Sequence, residues 1–479
     1  MSGEINTTQA ATTVYSNILD MIGDTPMLEL KQLDTGPCRL FAKMELANPA
    51  GSIKDRIGLS MILGAEQAGT IDPSADPKPT LIEATAGNTG LGLALVAAQR
   101  HYKLIVVMPD KMSQEKVQHL RAMGAEVVMT RSDVAKGHPD YYQEVAAQIA
   151  RNTPNSLYIN QFANPLNAEA HYATTAPEIM AQVQGATGST VDAFVCGVGS
   201  GGTLAGASKY FKEQNPNCTV ILADPAGSIL APLVNEGKTV EPGSWLVEGM
   251  GEDFVPDICD LDFVDEAIAV TDQESFLAAR ELLHVEGVLS GSSTGCILHA
   301  ALAYCQRQTT PMNVVTLVCD SGAKYLSKMY NDYWMIDNGF IQRESHNDLR
   351  DLIARRHLRQ EDFTVKPNEP VQQAFKMMRL HDVSQLAVMD PAEPHKAVGI
   401  IDEGDILLAV AAGKEAFGRP ISEFMTSRLE TVPPAASVDT LLPIFRADRV
   451  AIVVDEHDKY LGLITKVDLI NYLRRQLPA

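Results

Sequence analysis

The stretch Asn48–Arg56, NPAGSIKDR, carries one lysine, Lys54, among small residues just after a proline and a glycine. A lysine offers a charge, a phosphate ligand, or a primary amine that condenses with an aldehyde when its surroundings keep it partly neutral. Alone, Lys54 reads as a solvated charge, the fate of most lysines, at a helix start where the dipole disfavours cations. Three other stretches change that reading. GVGSGGT, Gly197 to Thr203, follows an apolar run and opens a helical one. Its glycines let successive N–H groups turn into one concavity, and Ser200 and Thr203 add hydroxyl donors, which suits a phosphate monoester. It lacks the Gly-Lys-Ser/Thr of a Walker loop, and its spacing departs from the dinucleotide pattern GxGxxG. A glycine turn that only packs strand on helix is the plainer alternative.

EATAGNTGLGLA, Glu83 to Ala94, sets Thr85, Asn88 and Thr89 beside backbone N–H groups at another helix start, where they can grip a carboxylate. LSGSSTGC, Leu289 to Cys296, opens a third helix with small hydroxyl residues. Each of these two, taken alone, reads as a helix cap. Together, a phosphate cup, a carboxylate grip, a hydroxyl-rich loop and a lysine on a short turn suit a phosphorylated aldehyde held as a Schiff base.

Such loops need a frame. From about residue 15 to 330, aliphatic runs such as 104–108, 126–129, 193–198, 220–224 and 314–320 read as buried parallel strands. Helically spaced stretches ending at glycines lie between them. The alternation predicts a doubly wound α/β sheet whose ligands sit at strand carboxyl ends. The chain has 479 residues, enough for two or three domains. A formal net charge of −21 argues against nucleic acid. The opening residues have neither a basic nor an apolar signal-peptide region, and no apolar run is long enough for a membrane span. Seven cysteines without a CxxC pair predict free thiols in a reducing cytoplasm, with no disulfide scaffold and no zinc site.

Beyond Cys319 the alternation fades into a closing helix and a linker. Residues 363–407 then resemble 429–470: each has a proline-containing start, a helix, an aliphatic strand, an acidic turn, a second strand and another helix. A repeat of this size predicts two modules packed face to face, since one alone buries too little surface.

Seven motifs in order, IGDTPML (22–28), NPAGSIKDR, EATAGNTG, NQFANPLNAEAHY (160–172), GVGSGGT, VEGMGEDFVP (247–256) and SGSSTG (290–295), resemble the fold-type II pyridoxal-phosphate β-replacement family. That family holds the cysteine synthases and the cystathionine β-synthases. The tail resembles paired CBS modules, and the combination is similar to the cystathionine β-synthases. The resemblance implies two doubly wound α/β subdomains followed by a tandem CBS module: a catalytic domain at 1–335, a linker at 336–360, and CBS domains at 361–415 and 416–479. It implies that Lys54 forms the Schiff base, that Asn88 bonds the cofactor's ring oxygen, and that Gly199, Ser200, Gly201, Gly202 and Thr203 hold its phosphate. Ser293 would face the pyridine nitrogen, where a hydroxyl gives a weaker electron sink than a carboxylate and favours β-elimination. Thr85, Ala86, Asn88, Thr89 and Gln161 would hold the substrate carboxylate, with Ala86 standing where the family often has serine.

The implied reaction condenses serine with homocysteine to cystathionine and water, with Lys54 as general base. Phe162 and Glu252 stand where relatives selective for homocysteine often carry tyrosines. No Cys and His precede IGDTPML, so no haem is expected. In the tail, GLITKVD (462–468) matches the family's ribose and phosphate motif, making Thr465 and Asp468 the candidates for S-adenosylmethionine or an adenine nucleotide; a plain helix cap is the alternative. Asp402 replaces the hydroxyl in the first repeat. A homodimer or higher homo-oligomer is expected. Two other readings stand beside this one: an O-acetylserine-dependent cysteine synthase, and a catalytically silent adenosyl sensor.

Overall fold

The computed structural model describes residues 14–476 apart from 86, 135 and 412. The chain divides into two compact units that meet between Asn331 and Asp332. In chain order the first runs β1 (Met27–Leu30), β2 (Arg39–Lys43), α1 (Lys54–Gln67), β3 (Thr80–Ala84), α2 (Asn88–Arg100), β4 (Lys103–Pro109), α3 (Gln114–Ala122) and β5 (Glu126–Thr130). It continues through α4 (Tyr142–Asn152), β6 (Ser156–Tyr158), α5 (Pro165–Ala170), a π-helical turn at His171–Thr175, α6 (Ala176–Thr187), β7 (Ala193–Gly197), α7 (Gly202–Gln214) and β8 (Thr219–Pro225). α8 (Leu230–Glu236), β9 (Glu266–Val270), α9 (Asp272–Glu286), α10 (Ser292–Gln306) and β10 (Asn313–Leu317) complete it.

Two sheets result. One has the strand order β5-β4-β3-β6 and is parallel throughout. The other runs β1-β2-β10-β7-β8-β9 and is parallel except where β1 meets β2. The strand order reverses direction at β3 in the first sheet and at β7 in the second. Crevices open at the carboxyl ends of such strands, and the loops after β3 and β7 are the two Gly-rich turns that carry the candidate chemistry. The strand at 126–129, expected to be buried, is β5 at a sheet edge and keeps half-exposed side chains.

Helices α1 and α2 are locked to each other by glycines. A Cβ on Gly58 would fall 2.6 Å from the Gly92 carbonyl carbon, and one on Gly92 would fall 2.5 Å from the Lys54 carbonyl oxygen. The N-termini of both helices, Lys54 and Asn88, are thereby brought to the same place. The start of α1 is also held by charge. Arg56 donates through Nε to Glu45 at 2.8 Å and through both terminal nitrogens to Glu178 at 2.7 Å. Lys43, fully buried, lies 2.8 Å from the same Glu178 carboxylate.

In the second unit, α11 (Asp332–Asp337) precedes β11 (Thr364–Val365), α12 (Val371–His381), β12 (Gln385–Met389), β13 (Ala397–Asp402) and α13 (Glu403–Ala411). Then follow β14 (Glu430–Val432), α14 (Leu441–Arg446), β15 (Ala451–Val454), β16 (Tyr460–Ile464) and α15 (Lys466–Gln476). The repeat seen in the sequence is a repeat in topology. β11 runs parallel to β12 and β12 antiparallel to β13, and β14, β15 and β16 reproduce that pattern, with a register shift at the corresponding place in each. Ala387 and Met389 of one sheet pack with Ile452 and Tyr460 of the other, so the two modules share a core. Within the span expected as a linker, Leu349, Leu352 and Ile353 are buried in the core of the second repeat with Val432 and Leu441. Among the described residues no helix is long and apolar enough to cross a membrane.

Two outcomes follow from this packing. Burial raises the Glu178 carboxyl, but Arg56 and Lys43 outweigh it and hold the group down to about 2. Its folded value lies below its ordinary one of 4.5, so its contribution is complete above that value and is lost as pH falls toward 2. The full contribution is on the order of 3 kcal/mol. Glu178→Gln should lower the unfolding midpoint of the first unit at neutral pH and flatten its decline from about pH 5 to about pH 3; parallel pH profiles would contradict the assignment. Gly92→Ala should force α2 off α1 and destabilise the unit by about 1–3 kcal/mol, seen as a lower thermal midpoint.

Candidate active site

Lys54 is the first residue of α1, and its N–H donates to Ser52 Oγ at 3.2 Å. Burial lowers the pKa of its amine, partly opposed by Cys319 and Asp320 nearby. A lysine amine taken out of water is a base and a nucleophile rather than a fixed cation. The turn before it is tied down by the Asp55 carboxylate, which accepts from Ala50 N at 2.6 Å and which burial pushes up to about 7.

The segment Cys319–Ser321, just past the end of β10, joins the surrounding loops. Ile53 N donates to Cys319 O at 2.9 Å, Ser321 N to Gly51 O at 3.2 Å, and Gly291 N to Asp320 O at 3.1 Å. The Lys54 turn and the Ser290–Ser293 loop are thereby fixed to one short strand extension. Ser293 is buried in the first turn of α10. Asn88 opens α2 and is gripped from two sides: its Nδ2 donates to Asp320 Oδ2 at 2.7 Å, and its Oδ1 accepts from Lys324 Nζ at 2.9 Å. The second Nδ2 hydrogen remains for a ligand oxygen.

After β3, Thr85 is buried and its Oγ accepts from Gly87 N at 3.1 Å. Thr89 Oγ donates to Gln161 Oε1 at 2.7 Å, and Gln161 Nε2 donates to Ala84 O at 3.2 Å. Thr85, Asn88, Thr89 and Gln161 therefore form one patch; Ala86 lies outside the described residues.

After β7, the glycines are demanded by packing as well as by a ligand. A Cβ on Gly199 would sit 2.5 Å from the Gly249 carbonyl oxygen, one on Gly201 (φ +89°) 2.5 Å from the Cys259 side chain, and one on Gly202 would overlap the Asn167 amide. With that fit, the loop between Gly199 and Thr203 ends on the free N–H groups of α7. Ser200 Oγ accepts from Asn167 Nδ2 at 2.9 Å, and Thr203 Oγ lies 3.2 Å from His171 Nε2. No lysine or arginine occurs in residues 197–203, so an anion there is met by N–H and O–H groups. A lysine whose pKa is lowered by burial, a hydroxyl rather than a carboxylate at Ser293, a free amide hydrogen on Asn88 and an anion loop without lysine or arginine fit pyridoxal phosphate.

Sequence reasoning missed Asp320, Lys324 and the buried network beyond them. Tyr325 OH donates to Asp320 Oδ2 at 2.9 Å and accepts from Lys116 Nζ at 2.9 Å; Lys116 also pairs with Glu248 at 2.7 Å. The position of Asp320 at a strand's carboxyl end was the available signal. Phe162 is buried against Phe254 at 5.7 Å between ring centres, and Glu252 is half-buried, its carboxyl pushed up by burial and by Asp253. In the second unit Thr465 Oγ donates to Asp468 Oδ2 at 2.6 Å and Asp468 N donates back to Thr465 Oγ at 3.3 Å. Asp402 and Asp405 bond reciprocally at the equivalent helix start. Both pairs are capping arrangements.

Residues 18–320 match the family of pyridoxal-phosphate dependent enzymes, and residues 350–412 and 421–475 match the CBS domain. A cystathionine β-synthase of Dictyostelium discoideum is 36% identical over 475 residues, covering 96% of this chain and 93% of that one. An O-acetylserine dependent cystathionine β-synthase of Bacillus subtilis is 39% identical over 318 residues, 66% of this chain and 97% of that one. Among solved structures, a hydrogen sulfide-producing enzyme of Fusobacterium nucleatum matches with a TM-score of 0.60 and 37% identity over 65% of this chain and all of its own, 100%. The chain belongs to the pyridoxal-phosphate dependent enzymes, within the cystathionine β-synthase family that carries a C-terminal pair of CBS domains.

Proposed function

We propose that the chain condenses L-serine with L-homocysteine to L-cystathionine and water, using pyridoxal phosphate. The observation that carries this reading is the half-buried Lys54, its amine's pKa lowered, at the start of α1 beside the Cys319–Ser321 segment that also holds the Ser290–Ser293 loop, in a chain whose relatives named for that reaction align through both of its units. Bound there, pyridoxal phosphate supplies the electron sink that makes the Cα proton of an amino acid acidic. Lys54 would hold the cofactor covalently, and its Nζ, made a better base by burial, would take the Cα proton of serine and return a proton to the departing hydroxyl. Thr85, Asn88, Thr89 and Gln161 hold the substrate carboxylate, with Ala86 contributing through its backbone. Asn88, aimed by Asp320 and Lys324, bonds the ring oxygen; Gly199, Ser200, Gly201, Gly202 and Thr203 hold the phosphate. Ser293 leaves the pyridine nitrogen without an ionic partner, which limits the sink to eliminating the β-substituent.

A second reading, O-acetylserine as the first substrate, is favoured by the match to the Bacillus subtilis relative over the catalytic unit. For the second unit we propose an adenosyl ligand at Thr465 and Asp468. The reading carries a homodimer or higher homo-oligomer and a cytoplasmic setting, which the seven unpaired cysteines support.

Lys54→Ala should abolish both the visible absorption band of the bound cofactor and turnover; full activity in that variant overturns the assignment. A panel of serine and O-acetylserine, each with homocysteine and with sulfide, should give the highest kcat/KM for serine with homocysteine. Preference for O-acetylserine would move the assignment to the second reading. Calorimetry on the full chain should give saturable heat with S-adenosylmethionine, lost in Asp468→Asn; no heat with it or with AMP contradicts a ligand in the tail.

A further inference from the structure

Beside the anion loop lies a short segment that turns three regularly spaced polar side chains inward. Asn167, His171 and Thr175 follow at intervals of four residues along α5 and the π-helical turn, and all three are buried. Asn167 Nδ2 donates to Ser200 Oγ at 2.9 Å. His171 Nε2 lies 3.2 Å from Thr203 Oγ, and its Nδ1 lies 2.9 Å from Thr175 Oγ. We propose that Asn167 and His171 are positioning residues for the phosphate subsite, fixing the hydroxyls of Ser200 and Thr203 so that both hydrogens point away from the protein and toward the anion.

A hydroxyl has a single hydrogen to give. Because Ser200 Oγ accepts from Asn167, its own hydrogen is left for a ligand. For Thr203 to do the same, its oxygen must accept from His171, which requires the tautomer with hydrogen on Nε2 and a lone pair on Nδ1. Thr175 satisfies that lone pair by donating its hydroxyl. Burial, with Arg56 and Lys54 nearby acting in the same direction, holds the imidazole well below its ordinary pKa and therefore neutral. In a loop without lysine or arginine, two oriented O–H donors are a large share of what a phosphate dianion meets. The same Asn167 nitrogen donates to Gln161 O at 2.9 Å, and Gln161 receives Thr89, so one amide braces the loop after β7 and the patch after β3 at once.

The proposal rests on the reading that residues 199–203 hold the cofactor phosphate, and the test separates the two. The readouts are the 31P resonance of the holoenzyme and the dissociation constant of pyridoxal phosphate from the reconstituted full chain. Asn167→Asp, which keeps the size but turns a donor into an acceptor, should move the resonance and weaken cofactor binding about tenfold. His171→Leu should weaken it about three- to tenfold, and His171→Gln, which restores an N–H donor, should recover most of the loss. Unchanged resonance and affinity in Asn167→Asp and His171→Leu, while Ser200→Ala and Thr203→Val change both, overturns the proposal and leaves the phosphate site standing. Equal losses in the Leu and Gln variants overturn it too, because the side chain would then act by filling space. If Ser200→Ala and Thr203→Val change neither readout, the phosphate reading itself fails.

Discussion

A primary amine partly withdrawn from water is the constraint on which the catalytic unit depends. Charged lysines are costly to bury, and Lys54 opens a helix, where the dipole adds to the cost. The surrounding structure is arranged to hold it there all the same. Arg56, two residues on, anchors the helix start to Glu45 and Glu178, while Asp55 ties the preceding turn through Ala50 N. Gly58 and Gly92 bring a second helix against the first so closely that the Lys54 carbonyl touches the glycine backbone. That contact fixes the distance between the Lys54 and Asn88 ends of the two helices, and with it the spacing of the two loops that lead into them.

The glycine turns show how packing and binding make the same demand. Glycine is permissive by itself, so a run of four would be a poor clamp if left free. Here Gly249, Cys259 and Asn167 press on the loop from outside, and only glycine fits. The loop's glycines are thus held in place by their neighbours, which leaves its N–H groups oriented before any anion arrives. Preorganised donors of this kind bind without the cost of ordering them afterward.

How far the sequence revealed this depended on distance along the chain. Lys54, the turn at 85–89, the loop at 199–203 and Ser293 were legible because each is a local pattern at the end of an apolar run. The repeat in the tail was legible because its period survives in the residues. Asp320 and Lys324 were not, since their partner Asn88 lies 232 and 236 residues away; nor was the Lys116–Glu248 pair, 132 residues apart. The span at 349–353 looked like a linker because it is short and mixed in composition, yet its Leu and Ile side chains are core. Thr465 and Asp468 match a ligand motif by type, and the geometry has them capping a helix. The same two residues serve both purposes in sequence, and only the hydrogen bonds reveal the cap.

The most direct test of the account is chemical. Holoenzyme treated with borohydride should carry a permanent adduct wherever the cofactor is joined to a lysine, and peptide mass mapping locates it. The structure predicts a single adduct, on Lys54, with Lys43, Lys116 and Lys324 unmodified despite their burial nearby. An adduct on any of those three, or a cofactor that is lost on denaturation after reduction, would contradict the claim that the amine of Lys54 is the centre around which the site is built.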